Sequence, residues 1–226
     1  MSGVSRITRL GFVNAYLVTE DDGYTLIDTM VPRSAPRILK TAARTGRPIR
    51  RIVLTHAHGD HIGSLDALAA ALPQAEVIVS ARDARLLTRP PDRTLDPGEA
   101  QAKLRGGLPG AATKPTRTVL AGERIGSLQV IAAPGHTPGH IALLDTRDRS
   151  LICGDAFTTF GGVLETTARV GWRFPLATLA TWDRPTELDS ARALRALEPS
   201  RLFVGHGKHL DDPLDAMDAA IARAAS

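Results

Sequence analysis

The stretch Arg51-Ile-Val-Leu-Thr-His56-Ala-His58-Gly-Asp60-His61 carries most of the structural information in this chain. Its first five residues form an apolar run that is typical of a buried strand, and residues 62–72, rich in Leu and Ala, predict a helix. Three imidazoles and one carboxylate therefore crowd a loop between a strand and a helix. Imidazole nitrogens and carboxylate oxygens are the ligands that suit zinc and its neighbours. Because alternating side chains cannot all converge on one ion, the loop predicts two metal positions.

Further ligand-type residues follow apolar runs elsewhere in the chain, and a glycine directly precedes each of them. These residues are His136, Asp155 and His206. Glycine lets the backbone turn sharply and approach a ligand closely. The recurrence of a strand, a glycine and a ligand predicts one shared site at an edge of a sheet.

The order of these motifs resembles that of the metallo-β-lactamase superfamily, in particular its binuclear hydrolases of the glyoxalase II and lactonase type. The resemblance covers nearly the whole chain and includes an early strand pair around residues 14–18 and 25–28. It implies an α+β fold, a four-layer αββα sandwich formed by a single domain over residues 1–226, with the metals between the two sheets. Carried over by motif, the implied ligands are His56, His58 and His136 for metal one, Asp60, His61 and His206 for metal two, and Asp155 as the bridge.

Two residues outside this set have expected supporting roles. Asp28 ends a buried strand, and we expect its carboxylate to form hydrogen bonds near the metal loop; capping a turn is the alternative. His140 is expected to orient a ligand, since metal ligands usually need a hydrogen-bonding neighbour. An ordinary loop histidine is equally compatible with the sequence. Asp60 is expected to be catalytic as well as a ligand, because it can orient the attacking nucleophile.

The predicted chemistry follows from two divalent ions joined by a carboxylate. Such ions share a water that loses a proton near neutral pH, which gives a bridging hydroxide. We expect zinc, with iron or manganese as alternatives, and hydrolysis of a small ester, thioester or lactone. Three other functions remain open on the same sequence: an iron-dependent sulfur dioxygenase, a phosphodiesterase, and a binding protein with a vestigial site. Metal ligands alone do not distinguish iron from zinc.

The resembled subfamilies differ from this chain in two substrate-related features. Glyoxalase II enzymes carry a C-terminal helical extension for their glutathione thioester, whereas few residues follow His206 here. The similar lactonases place a tyrosine between the bridging aspartate and the last histidine. The tyrosines of this chain are Tyr16 and Tyr24, so that position is not matched.

Residues 157–185 are unusually aromatic and begin just after Asp155. Binding pockets are typically apolar with a few polar groups, so this segment predicts a hydrophobic wall or lid over the metals. Packing of a long loop, or an interface in a homodimer, are the alternatives. The expected pocket residues are Phe157, Phe160, Trp172 and Phe174.

Composition sets limits on the remaining classes of function. The 226 residues carry a net charge of +4, and the positive residues are dispersed along the chain. Nucleic-acid binding is therefore not expected, and we expect a small-molecule substrate. The single cysteine, Cys153, excludes an intramolecular disulfide and is expected to be a buried apolar side chain. The chain shows neither a bilayer-spanning apolar stretch nor a signal-peptide core, so we expect a cytoplasmic protein with no membrane partner.

Periodicity also predicts individual elements. Apolar spacing indicates helices at 34–45 and 186–197, and residues 76–80 predict a strand. An acidic cap and Pro213 in the first turn predict the start of the last helix. The Pro- and Gly-rich residues 88–118 are expected to run over the surface, with a short helix at 97–105.

Overall fold

The computed structural model describes residues 3–169 and 175–226. Its two main sheets each have six strands. The first sheet is antiparallel between its first three strands and parallel from the third onward. In sheet order its strands are β1 Val4–Arg9, β2 Val13–Glu20, β3 Gly23–Ile27, β4 Ile49–Val53, β5 Glu76–Ser80 and β6 Arg117–Val119.

The second sheet is antiparallel except for one parallel pair, β10 with β13. Its strands lie in the order β14-β13-β10-β9-β8-β7. They are β7 Arg124–Ile125, β8 Leu128–Ala132, β9 Ile141–Asp145, β10 Ser150–Ile152, β13 Arg201–Phe203 and β14 Leu210–Asp211. A small separate hairpin consists of β11 Phe157–Thr158 and β12 Glu165–Thr166.

Alternation along the strands explains why the two sheets stack with helices outside them. In β3, Ile27 belongs to the core between the sheets, and its neighbour Leu26 packs on the outer face of the first sheet. In β10, Ile152 and Leu151 divide between the two faces of the second sheet in the same way. A strand that is apolar on both faces must be covered on both. The resulting layers form the predicted αββα sandwich.

Six helices flank the sheets within the described residues. Outside the first sheet, α1 and α3 contribute Ile38, Leu65 and Leu68 to its core. Outside the second, α5 and α6 contribute Leu194 and Met217. The helices are α1 Ala35–Ala43, α2 Gly59–Ile62, α3 Leu65–Ala71, α4 Pro175–Ala180, α5 Arg184–Ala196 and α6 Leu214–Ala225.

Most predicted elements are confirmed, and the differences have local causes. Helix α5 begins two residues before the predicted start because Asp183 accepts a hydrogen bond from the backbone N–H of Thr186. Pro213 occupies the N-cap position of α6 instead of its first turn. The predicted helix at 97–105 is wrong: these residues form a turn and irregular chain. Gly98 has a φ of +93°, which a right-handed helix does not accommodate.

Candidate metal centre

The ligand-type residues of the first sheet lie in the loop that follows β4. The chain leaves that strand at Leu54, passes through His56, and enters the short helix α2 with His58 at its N-cap in extended backbone. His56, His58 and His61 are buried, and the side chain of Asp60 is 41% exposed. The loop therefore points three imidazoles inward and leaves one carboxylate accessible from outside.

The second sheet supplies the remaining ligand-type residues from three other strand ends. His136 follows β8, Asp155 follows β10, and His206 follows β13. All three are buried. The hydrogen bonds from the amide N–H groups of Asn14 to the carbonyls of Gly205 and Val204 hold the start of β2 against the last of these loops. Ligand-type residues from both sheets thus meet at one edge of the sandwich.

The side chains gather into two groups, which a third set, His56, His61 and Asp155, connects. In the first, ligand atoms of His56, His58 and His136 lie within 4.8 Å of one another. His58 Nδ1 and His136 Nε2 are 3.0 Å apart, within hydrogen-bond distance. In the second, ligand atoms of Asp60, His61 and His206 meet the same distance criterion. These are the two triads that the motif order implies.

Asp155 lies between the two groups. Its Oδ2 atom is 3.4 Å from His136 Nε2 of the first group and 3.1 Å from His206 Nε2 of the second. Its other oxygen, Oδ1, is 3.2 Å from His61 Nε2. A single carboxylate in contact with histidines of both groups has the geometry of a bridge.

Each of four histidines offers one ring nitrogen to the centre and uses the other to hold an orienting partner. Such partners set the tautomer and the direction of the ring. The pairs are His56 Nδ1 with Thr55 Oγ1 at 3.0 Å, His58 Nε2 with the Arg105 carbonyl at 3.1 Å, His61 Nδ1 with Asp28 Oδ2 at 2.8 Å, and His136 Nδ1 with Thr181 Oγ1 at 3.0 Å.

The structure places Asp28 and His140 around the centre in different ways. Asp28 also accepts hydrogen bonds from the backbone N–H and hydroxyl of Thr55, so it links β3 to the metal loop as well as to His61. His140 Nδ1 pairs with the carbonyl of Ala133, and its Nε2 accepts a hydrogen bond from the backbone N–H of Asp155. His140 therefore holds the backbone of the bridging residue.

A buried carboxylate that the sequence did not single out, Asp83, joins two of the ligand loops. It accepts hydrogen bonds from the backbone N–H of Ala57 at 3.0 Å, the hydroxyl of Thr137 at 2.7 Å and the backbone N–H of Gly139 at 2.8 Å. Ala57 lies between His56 and His58, and Thr137 follows His136. Asp83 therefore ties together the two loops that carry the first group.

Two glycines are required by close approach to these side chains. A Cβ atom on Gly205 would collide with the carboxylate of Asp155 and lie 2.8 Å from His61. Gly106 has a φ of +75°, and a Cβ there would lie 2.5 Å from His58 Nε2. Both positions let the backbone pass within contact distance of a ligand-type side chain.

Electrostatics separates the two groups. Burial, reinforced by neighbouring imidazoles, holds the pKa values of His56 and His136 well below their usual range, and burial also lowers the pKa of His58. Burial alone would lower the pKa of His61 and His206 too, but the carboxylates beside them raise both pKa values by more than burial lowers them. Asp155 and Asp28 raise the pKa of His61 well above its usual range. Asp155 and Asp60 raise the pKa of His206 to about 9.

The two carboxylates respond in the opposite direction. Burial would raise the pKa of Asp155 and of Asp60, yet both pKa values lie below the usual range. The hydrogen bond from His206 and the charges of His61 and His206 are responsible. Without metal, the second group is therefore a network of imidazolium–carboxylate pairs, whereas the first group is neutral.

The donor set suits divalent transition metals. Within the described residues, His56 Nε2 is a buried atom with no hydrogen-bond partner. It lies in one cluster with His61 Nε2 and Asp155 Oδ1, whose only contact there is with each other, at 3.2 Å. Leaving buried polar atoms unsatisfied costs free energy, which a bound cation would recover. Nitrogen and carboxylate oxygen donors are suited to zinc, iron or manganese. The residues present thus fit two metal ions.

A cleft of about 420 Å³ opens above this centre. His58, Asp60, His136, Asp155 and His206 form its polar floor. Its other described lining residues are mostly small or apolar: Leu10, Phe12, Val13, Val31, Gly106, Gly107, Leu176, Ala177, Leu179 and Ala180.

The aromatic wall predicted over residues 157–185 is corrected in its details. Phe157 is fully buried in the core outside the second sheet, because β11 turns its side chain away from the cleft. Phe160 does not line the cleft directly; it packs on Phe12, with ring centroids 4.8 Å apart. Trp172 and Phe174 lie outside the described residues. The segment does contribute to the cleft, through the aliphatic residues of α4.

Several supporting groups could not be found from sequence. Thr55, Asp83 and Thr181 are ordinary polar residues in the chain, and the partner of His58 is a backbone carbonyl. Only the adjacency of Thr55 to the metal loop was a usable signal. Trp182, by contrast, is a structural residue: it is buried in the hydrophobic core on the outer face of the first sheet and donates its Nε1–H to the Ala102 carbonyl.

Comparison with protein families gives the same result as the geometry. Residues 8–206 match the family described as the metallo-beta-lactamase superfamily. The chain belongs to this superfamily. Its fold and its cluster of histidines and aspartates are those of a divalent-metal site, and the superfamily relatives below support a hydrolytic enzyme.

Three curated superfamily relatives illustrate the range of similarity. An uncharacterized protein of Bacillus subtilis, YobT, is 45% identical, covering 94% of this chain and 90% of its own. A probable metallo-hydrolase of the same organism, YflN, is 31% identical over 91% of this chain and 84% of its own. A hydroxyacylglutathione hydrolase of Rhodospirillum rubrum is 32% identical over 77% of this chain, but the match spans 55% of that enzyme.

Solved structures agree on the fold. The BLEG-1 B3 metallo-beta-lactamase superposes with a TM-score of 0.71 at 22% identity, covering 95% of this chain and 96% of that one. TTHA1623, solved in a di-iron-bound form, has a TM-score of 0.65 at 28% identity, covering 94% of this chain and 96% of that one.

Within the described residues, no helix of this protein has the length and apolar character needed to cross a membrane.

Proposed function

We propose that this protein hydrolyses a small, apolar carboxylic ester, thioester or lactone with the help of two divalent metal ions. The observation that carries the proposal is the pair of ligand groups sharing Asp155 beneath a cleft with an apolar rim. When bound, the two ions would activate a water molecule and polarise the acyl carbonyl. His56, His58 and His136 would hold one ion, Asp60, His61 and His206 the other, and Asp155 both.

Asp60 is the ligand-type residue best placed to act on the substrate side. Its side chain is 41% exposed and lines the cleft, whereas the six others are buried. Its lowered pKa keeps the carboxylate anionic, so it can accept a hydrogen bond from water in the cleft. Asp60 would therefore orient the nucleophile toward the carbonyl carbon in addition to binding metal.

The rim of the cleft supports an apolar substrate. The structure has four exposed large hydrophobic side chains among its described residues, and three of them line this cleft: Leu10 at 66%, Leu176 at 66% and Leu179 at 50% exposure. Exposed apolar side chains that cluster around a cleft usually mark a binding site. The fourth, Leu120, lies elsewhere and is 65% exposed.

The relatives favour acyl transfer to water, whereas the lining of the cleft does not favour the glutathione group. The hydroxyacylglutathione hydrolases are named for a thioester, and the one from Rhodospirillum rubrum matches 77% of this chain. The described residues that line the cleft include no Lys or Arg to receive the carboxylates of glutathione. We therefore infer a thioester, ester or lactone with an uncharged body.

Zinc is the metal we propose, and iron is its competitor. All the donors are imidazole nitrogen or carboxylate oxygen, which both metals accept. The similar structure TTHA1623 was solved with two irons. Elemental analysis of protein purified without added metal identifies the ion: we expect about two zinc ions per chain. Oxygen consumption by an iron-loaded protein, without hydrolysis, would contradict the proposal.

A substrate panel tests the reaction class. The metal-loaded protein is assayed with an alkyl thioester, a p-nitrophenyl ester, an alkyl lactone and bis(p-nitrophenyl) phosphate. We expect turnover of at least one acyl substrate and no comparable turnover of the phosphodiester. Turnover of the phosphodiester alone would move the function to phosphoryl chemistry.

The role of the rim is tested with matched leucine variants. Leu10→Ser and Leu179→Ser should raise KM about tenfold for an apolar acyl substrate, because each removes apolar contact area from the cleft. Leu120→Ser, at a similarly exposed position away from the cleft, should leave KM unchanged. Equal effects of all three substitutions would show that the rim does not contact the substrate.

A further inference from the structure

A second cavity lies beside the metal cleft and opens onto the same carboxylate. Its volume is about 550 Å³. It shares the lining residues Val31, Asp60 and Gly107 with the cleft above the metal centre, so the two spaces adjoin at these residues. Of the seven ligand-type residues, Asp60 alone lines this cavity.

The walls of this Asp60 cavity are apolar and come from three separate parts of the chain. Residues preceding α1, residues of α2 and the loop before β6 each contribute a side. The apolar members are Val31, Pro32, Ile62, Leu108, Pro109 and Ala111.

The charged groups of the Asp60 cavity largely compensate one another. Arg89 Nη2 lies 3.3 Å from Asp66 Oδ2, and Asp66 also accepts hydrogen bonds from the backbone N–H groups of Ala112 and Thr113. Asp60 belongs to the metal centre, where bound ions would neutralise it. An anionic group would meet two carboxylates and one already paired arginine, so the cavity favours an uncharged occupant.

From these observations we propose that the Asp60 cavity is a second substrate subsite, which takes an uncharged, apolar arm of the molecule hydrolysed at the metal centre. This inference rests on the proposed function and extends it: the scissile carbonyl would lie over the metals, with one arm along the rim of Leu10, Leu176 and Leu179 and the other in the Asp60 cavity. The wall that the Asp60 cavity shares with the metal cleft, at Val31, Asp60 and Gly107, is what identifies the occupant as part of the substrate.

The experiment compares neighbouring alanines. Ala111 lines the Asp60 cavity, whereas Ala112 is exposed and does not. Ala111→Val and Ala111→Phe reduce the free volume in two steps, and Ala112→Phe places the same ring on the outside. Two substrate series are assayed: p-nitrophenyl esters from acetate to decanoate, and acetyl thioesters from ethanethiol to octanethiol. Binding of 2-decanone, an uncleavable apolar probe, is measured by calorimetry with and without metal.

We expect kcat/KM of the wild type to rise with arm length in at least one series. Ala111→Phe should lower kcat/KM for the long-armed substrates about tenfold, and Ala111→Val should lower it less. Ala112→Phe should not change it. Ala111→Phe should weaken 2-decanone binding by a similar factor in metal-free and metal-loaded protein, and wild-type binding should show a negative heat-capacity change.

Two results would overturn the subsite. One is the absence of 2-decanone binding to the wild type; the other is equal behaviour of the Ala111 and Ala112 variants. Failure of the proposed function looks different: the two-metal protein would hydrolyse no ester, thioester or lactone, while the binding measurements would still distinguish Ala111 from Ala112. The graded Ala111→Val variant keeps the comparison informative if the phenylalanine at 111 prevents folding.

Discussion

The two halves of the metal centre use the same residue type in opposite electrostatic states. The first half, His56, His58 and His136, is buried and neutral, and its orienting partners are hydroxyls and a carbonyl. In the second half, His61 and His206 face carboxylates, which raise their pKa values. Histidine must lose its proton to bind a metal. The first half is therefore ready to accept an ion, whereas the second must release protons before it does.

The largest effect is expected where the halves meet. Asp155→Asn removes the negative charge that both halves share, and we expect metal content to fall below one ion per chain and hydrolysis to fall at least about 1,000-fold, because both water activation and carbonyl polarisation depend on bound ions. Metal analysis and kcat/KM measure the two effects. Asp189→Asn serves as the control, since its carboxylate is exposed and pairs with Arg192 at the surface. An Asp155→Asn protein that keeps both ions would contradict the bridge.

The next largest effect is expected from a substitution of Gly106, which should lower metal affinity in one half of the centre. Gly106→Ala places a Cβ against His58 Nε2 and displaces the orienting carbonyl of Arg105. Loss of an orienting partner typically lowers metal affinity about 10- to 100-fold. We expect that loss for one of the two ions, measured by competition with a chelator.

The control for this change is Gly46→Ala. Its φ of +71° imposes similar backbone strain, but its Cβ would meet nothing within 4 Å. It should lower Tm without changing metal affinity. If both variants lose affinity equally, backbone strain rather than contact with His58 is the cause.

Asp83→Asn is expected to weaken the first half more selectively. An amide presents one acceptor and one donor group, whereas Asp83 is surrounded by three donors. The link between the His56–His58 loop and the His136 loop should loosen, and affinity for one ion should fall about tenfold. Asp145→Asn changes another buried carboxylate, at the end of β9 opposite to His140 and the ligand loops, and should leave both affinities intact. Equal loss of both ions in Asp83→Asn would place its influence on the whole centre.

The remaining prediction concerns the pH dependence of stability in metal-free protein. His206 has a pKa of about 9 in the folded chain, above the usual 6.5, so its ion pairs stabilise the fold fully below pH 6.5. This contribution is lost as the pH rises toward 9. His61 acts in the same direction. Denaturant unfolding with a chelator present should show stability declining from pH 6.5 to 9, at up to about 1.4 kcal/mol for each unit of pKa shift.

The neutral histidines of the first half should not contribute to this decline, because their lowered pKa values leave them unprotonated in the folded chain. Unfolded histidines still bind protons near pH 6.5, so these residues make stability rise slightly there and have no effect at higher pH. Metal-loaded protein should also lack the decline, since bound ions replace the protons. Constant stability of the metal-free protein between pH 6.5 and 9 would show that the histidines of the second half do not form stabilising ion pairs.

The sequence was most informative where a local pattern dictates the chemistry. Alternating and continuous apolar runs predicted the main strands, and the residues singled out in the loop after β4 belong to the cluster that could hold metal. It was least informative in long irregular segments. The helix expected at 97–105 does not form, and Phe157 packs into a core instead of lining the cleft. In such segments the direction of a side chain depends on distant contacts rather than on neighbours along the chain.

Residue order alone thus determined the superfamily, the layered fold and the types of side chain at the metal centre, because strand periodicity and ligand chemistry are local properties. Only the tertiary structure decided how those side chains divide into a neutral half and an ion-paired half. Burial, the position of Asp155 between His136 and His206, and the clamp of Asp83 across two loops arise from segments far apart in the chain. Electrostatic interactions depend on distance in space and on desolvation, and neither is encoded in any short stretch of sequence.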